Sequence, residues 1–195
     1  MFFEPSQFEA ARILEANWQP ILEDLQSLSD TSFMPWKETK LYSTGWDVFG
    51  FYAFGTRVEE NCVRCSRTAE ILATIPGLYT AGFSSMKPGT HIIPHRGYTY
   101  QYAPDGTLEK GDLNQGVLRC HLGLIIPPAI TTIGCAFRVE NEIENWQQGK
   151  CLVFDDTMEH EAWNRTEGTR VVLLIDFAPE HEPKELEALS VSQLA

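Results

Sequence analysis

From residue 78 onward the chain breaks into short apolar runs separated by turn residues: 78–86, 91–94, 117–126, 134–140, 150–155, 160–164 and 169–177. A strand buries one face and needs hydrogen-bonded neighbours at its edges. So many strand-length runs in one chain therefore predict an antiparallel barrel or jelly roll, mainly β in class. Ahead of them, over 5–28, Phe8, Ile13, Leu14, Trp18, Ile21, Leu22 and Leu25 recur at helical spacing. Ser6 is the candidate cap, and Pro20 should kink or divide the helix near Trp18. Such a helix has one apolar face and is expected to cover a sheet. Residues 48–54 read as an aromatic-rich strand. Residues 66–75 read as a short helix capped by Ser66 and stopped by Pro76-Gly77. A closing surface helix is expected over 182–194. No repeat or linker interrupts the chain, so a single domain over 1–195 is expected. It would comprise a helical cover over 1–40, a β core over 41–180 with flanking helices, and a tail over 181–195.

With 195 residues and a formal net charge of −12, the chain can bury a sizeable core but lacks the basic balance of a nucleic-acid binder. The same charge disfavours attachment to an anionic membrane surface. The start, Met1-Phe-Phe-Glu-Pro-Ser, lacks the pattern of a signal peptide, and no apolar run reaches transmembrane length. Five cysteines without framework spacing fit a reducing cytoplasm. Cys62-Val-Arg-Cys65 has the spacing of a zinc or redox pair but no second pair, so ordinary thiols are expected. Cys120, Cys135 and Cys151 fall within strand runs as small core residues. Residues 98–116 form a long connection with Tyr98, Tyr100 and Tyr102 alternating, either a solvated hairpin or a lid.

The chemistry gathers in 150–177. His160 lies between Glu159 and Glu161, just past the strand break at Asp155-Asp156-Thr157, and Arg170 opens the next apolar run. An Arg there can pack its stem inward and turn its head to a cleft, fit to clamp a carboxylate. Upstream, His95 closes His91-Ile-Ile-Pro-His95. Two strand-edge histidines can converge on a first-row metal, although singly a structural histidine is the commoner explanation for either. His91, four residues from His95, would share its face in a straight strand, but Pro94 argues for a structural role. Arg119 and His121 flank Cys120 and so point to one face of their strand. Arg96 and Arg138 are candidate anchors for an acidic substrate.

Taken together, 91–97, 118–127, 149–163 and Arg170 resemble, in one order and register, the aspartyl/asparaginyl β-hydroxylase family over roughly residues 40–180. The resemblance implies a double-stranded β-helix (a cupin-like jelly roll) and an iron(II)- and 2-oxoglutarate-dependent dioxygenase. O₂ would be consumed, 2-oxoglutarate would become succinate and CO₂, and an unactivated C–H bond would be hydroxylated. It assigns His95 and His160 as metal ligands, and Asp156 as acceptor for a metal-bound water. Arg170 and Ser84 would hold the distal carboxylate of 2-oxoglutarate. Arg119 and His121 would line its pocket, with Met86, Val172 and Trp46 as apolar wall.

Gly97 stands where the common two-His-one-carboxylate pattern has an acid. The family shares that absence, yet a halogenase would lack the acid too, so Gly97 alone leaves both open. A jelly-roll module that binds a metal or small acid without catalysis is the alternative from another class. Family members that modify protein domains carry an anchor and helical repeats not seen here. The expected substrate is therefore an amino acid, or an amino-acid residue of a small peptide or metabolite.

Overall fold

In the computed structural model, the structure describes residues 1–97, 100–102, 108–110, 117–128, 131 and 134–178. The strands are β1 (Phe2–Phe3), β2 (Met34–Pro35), β3 (Trp46–Ala53), β4 (Thr56–Arg57), β5 (Leu78–Met86), β6 (His91–His95) and β7 (Tyr100–Tyr102). After them come β8 (Leu108–Lys110), β9 (Leu118–Ile125), β10 (Cys135–Val139), β11 (Glu142–Glu144), β12 (Cys151–Asp155), β13 (His160–Asn164) and β14 (Arg170–Phe177). A large sheet runs β1-β12-β9-β14-β5-β3-β2, with β4 on β3, and a small one runs β11-β10-β13-β6. All their pairings are antiparallel. This is the jelly roll that the run spacing predicted.

Alternation along β14 shows how one sheet serves two interiors. Val171, Leu173, Ile175 and Phe177 join the cluster under the helices, while Val172 and Leu174 join the cluster between the sheets. On β9, Cys120, Leu122 and Leu124 face the helices, which sends Arg119 and His121 to the inside. The helices are α1 (Glu9–Ala16), α2 (Trp18–Gln26), α3 (Glu59–Arg64) and α4 (Ser66–Leu72). Leu14 and Ile21 are fully buried against the sheet, each worth about 1.5–3 kcal/mol relative to exposure.

Several local expectations need correction. The first helix does divide next to Trp18, at Asn17, with Pro20 in the first turn of α2, where a missing N–H costs no helical bond. Ser6 is not its cap: it lies in a 3-10 turn, Pro5–Gln7, and its hydroxyl donates to Glu4. Ser66 is not a cap either, being the first residue of α4. Asp24 of α2 supplies that function instead, accepting the Thr68 N–H at 2.8 Å and its hydroxyl at 2.9 Å. The first residues are not helical cover, because β1 pairs with β12 at the sheet edge. Of 98–116, the register of β7 on β8 is described, and the helix expected over 182–194 lies outside the described residues.

Candidate active site

His95 and His160 sit directly opposite each other on β6 and β13, their rings 4.2 Å apart between centroids. A register shift between Ile92 and His95 puts His95 inside with Ile92, while His91 turns to the outer face and meets Glu161 at 2.9 Å. Pro94 suits that bulge because it has no N–H to contribute to a ladder. His95 Nδ1 lies 2.8 Å from Ile93 O, and His160 Nδ1 2.8 Å from Met158 O. A carbonyl only accepts, so both Nδ1 atoms carry the proton and both Nε2 atoms present lone pairs. Burial holds His160 down to about 3 and lowers His95 as well, so both rings are neutral at pH 7. Two neutral, fixed, converging imidazoles suit a first-row transition metal. Among the described residues no third His, Cys, Asp or Glu joins them as a ligating group.

Asp156 fills the space that Gly97 leaves. A Cβ at position 97 would lie 1.6 Å from Asp156 Oδ2, so only glycine lets that carboxylate approach. Asp156 Oδ1 is 3.4 Å from His160 Nε2 and 2.6 Å from Arg119 Nη1. The Arg119 contact is close but poorly aimed, and neither Asp156 oxygen receives a well-directed hydrogen bond among the described residues. Burial pushes its carboxyl up to about 7 against the pull of Arg119, with Asp176 adding to the rise.

The other end of the cavity is cationic. Arg170 is fully buried, with Nη1 donating to Ser84 O at 3.1 Å and the guanidinium 4.4 Å from the Trp146 ring centre. No hydrogen bond reaches its Nε, and no carboxylate faces it among the described residues. Burial lowers it to about 10. Trp146 Nε1, a donor only, gives its proton to His121 Nδ1 at 3.3 Å, so the unpartnered His121 Nε2 carries the remaining proton. Trp46 Nε1 donates to Ser84 Oγ at 3.0 Å, leaving the Ser84 hydroxyl proton to give. A buried cation and two donors without acceptors among the described residues form a ready site for a carboxylate.

The structure thus gathers Trp46, Ser84, His95, Arg119, His121, His160 and Arg170 around one cavity, with Met86 and Val172 in the apolar cluster beside it. Arg119 is present there, but its Nε and Nη2 grip Asp176 at 2.6 and 3.0 Å, so its charge is committed to Asp176 and Asp156. Arg138 and Arg96 are not at the cavity as anchors. Arg138 lies on the outer face, bound to Glu161 and Glu159, and Arg96 binds Thr157 O and Glu140. Two contributors escaped the sequence. Asp176 stood out only as a lone acid in an apolar run, and Trp146 as a lone aromatic in a polar one. Gly123 admits the Trp146 loop, since a Cβ there would lie 2.2 Å from Gln147 O. A larger groove between the first turn and β12 is lined by partnered charges such as Lys150 and Glu15, 3.0 Å apart. The Cys62 and Cys65 thiols are buried, and burial pushes Cys65 up to about 11, which makes them poor nucleophiles.

An ornithine lipid ester-linked acyl 2-hydroxylase from Rhizobium tropici is 45% identical over 134 residues, 69% of this chain and 42% of that protein. The human aspartyl/asparaginyl beta-hydroxylase is 32% identical over 197 residues, 95% of this chain and 23% of that protein. The chain therefore spans less than half the length of either. A crystal structure of a 2OG-Fe(II) oxygenase family oxidoreductase from Burkholderia pseudomallei superimposes with a TM-score of 0.52 at 10% identity, over 86% of this chain and 80% of that one, which shows the shared fold. Among the described residues no helix is long and apolar enough to cross a membrane. The sequence profile of the Aspartyl/Asparaginyl beta-hydroxylase family matches residues 15–179, and the chain belongs to that family.

Proposed function

We propose that this protein is an iron(II)- and 2-oxoglutarate-dependent hydroxylase of an unactivated C–H bond. The observation that carries the proposal is the opposed pair of neutral histidines facing, in one cavity, a buried arginine that has no counter-ion among the described residues. Iron(II) with 2-oxoglutarate and O₂ supplies the oxidising chemistry, releasing succinate and CO₂ as one oxygen atom enters the substrate. His95 and His160 would hold the metal through Nε2. Arg170 and the Ser84 hydroxyl would bind the distal carboxylate of 2-oxoglutarate, with His121 Nε2–H donating to a carboxylate oxygen. Met86, Val172 and Trp46 keep the pocket apolar and exclude water. Asp156 would accept a hydrogen bond from a water held at the metal. Arg119, held by Asp176, keeps Asp156 in place.

Hydroxylation is favoured over halogenation by Asp156. An anion entering the space beside Gly97 would meet a carboxylate already there. For the substrate we propose an amino-acid-bearing molecule. An ornithine lipid is the first compound to test, because a 45% identical relative is named for acting on one. Peptides containing aspartate or asparagine form the second arm. Reaching a lipid acyl chain does not itself require a membrane-spanning helix. The test is succinate formation with iron(II), 2-oxoglutarate and O₂, stoichiometric with a hydroxylated product by mass spectrometry. A product bearing chlorine, or no 2-oxoglutarate turnover with any arm, would count against the proposal.

A further inference from the structure

The residues beside both histidines converge on one side chain outside the cavity. Glu140 sits in the turn between β10 and β11 at φ 50°, a left-handed conformation that a non-glycine residue keeps only where its surroundings hold it. Its N–H donates to Glu159 O at 2.8 Å, and its carbonyl accepts from Arg138 Nη1 at 2.5 Å. Its Oε1 accepts the Glu159 N–H at 3.1 Å and Arg96 Nη2 at 3.4 Å. Glu159 precedes His160 and Arg96 follows His95, so one carboxylate oxygen ties together the chain beside each histidine. Arg96 also donates to Thr157 O at 3.1 Å, and Arg138 reaches both Glu159 at 3.2 Å and Glu161 at 2.5 Å.

The ladder alone fixes the pair weakly. β6 is the outer strand of the small sheet, and its register on β13 shifts beside the histidines. We infer that Glu140 is a positioning residue that sets the spacing of His95 from His160 and thereby the metal affinity. This rests on the metal site proposed above. With two candidate protein ligands among the described residues, a small change in their separation has no third described side chain to absorb it. The left-handed φ of Glu140 is held by the same contacts that define the spacing.

The test is anaerobic iron(II) titration at saturating 2-oxoglutarate, read by visible absorption, alongside thermal unfolding without metal. Glu140→Gly suits the left-handed backbone and removes only the side-chain bonds, whereas Glu140→Gln keeps the Oε1 acceptor. Glu140→Gly should bind iron about tenfold more weakly, at the low end for loss of an outer partner, with Glu140→Gln within about twofold of wild type. The unfolding midpoint of Glu140→Gly should stay close to that of wild type, because relief of the left-handed φ offsets the lost side-chain bonds. Wild-type iron affinity in Glu140→Gly overturns the inference, as does an equal loss in Glu140→Gln. If wild type takes no iron, or His160→Ala takes it as well as wild type does, the metal site itself is wrong and the inference falls with it.

Discussion

Replacing Arg170 by Met, a side chain of similar bulk without charge, separates a ligand-binding arginine from a structural one. Burial holds the guanidinium at about 10 against an ordinary 12.5, which at about 1.4 kcal/mol per pH unit costs the ligand-free fold roughly 3 kcal/mol. Arginine is charged in both folded and unfolded chains below pH 10, so this cost is fully present at neutral pH and is relieved only above it. Against it stand the bond to Ser84 O, about 1.5–3 kcal/mol, and the contact with the Trp146 ring, about 2 kcal/mol when desolvated. These nearly cancel, so the ligand-free stability of Arg170→Met should change by no more than about 2 kcal/mol. Affinity for 2-oxoglutarate should fall much further. Truncating one partner of a buried charge pair costs about 2–5 kcal/mol, roughly 30-fold to several thousand-fold in Kd. Urea unfolding of the ligand-free protein and calorimetric titration with 2-oxoglutarate measure the two quantities. An Arg170→Met protein that is more than about 3 kcal/mol less stable yet binds 2-oxoglutarate normally would refute the carboxylate assignment.

Asp176→Asn should lower unfolding stability by about 1.5–3 kcal/mol, because it weakens the buried two-point grip on Arg119 and leaves Asp156 as the remaining carboxylate beside that charge; a urea midpoint equal to wild type would contradict this. Gly97→Asp should lower both stability and iron uptake, since its Cβ would meet Asp156, and adding Asp156→Gly should restore iron uptake by exchanging one acid for the other. Iron titration of both variants checks this, and an undisturbed Gly97→Asp protein would count against it. Stability should fall as pH drops below 6.5, because unfolded His95 and His160 take up protons that the folded rings refuse. Asp156, raised to about 7, has the opposite sign, since its folded form keeps a proton that the unfolded carboxyl releases above about 4. Asp156→Asn should therefore show the steeper loss between pH 6.5 and 4, measured by urea midpoints across that range; a shallower slope would contradict the sign.

The strands were legible because a two-residue alternation bounded by turn residues leaves few other folds open. The 91–94 and 160–164 runs match β6 and β13 within a residue. The lining of the candidate cavity was legible where a single residue type stands out in its run, as with an arginine at the head of an apolar strand. What stayed hidden depends on partners distant in sequence. The bulge that turns His91 outward while His95 faces inward is a property of two strands together. Asp24 capping α4 from another helix makes Ser66 unnecessary in a way no local window reveals. Arg96 and Arg138 looked free because Glu140, Glu159 and Glu161, which engage them, also read as ordinary surface acids. Asp176 and Trp146 gain meaning only from Arg119 across the ladder and from Arg170 beneath the indole.

Whether one cavity takes iron(II) and 2-oxoglutarate together is decided by anaerobic titration of the metal-free protein with both. The readout is the visible metal-to-ligand charge-transfer band. A band in wild type, lost in His160→Ala and needing far more 2-oxoglutarate in Arg170→Ala, is the predicted result. A folded wild-type protein that shows no band with iron and 2-oxoglutarate in excess would contradict the account and leave a jelly roll that binds a small acid without oxidising anything.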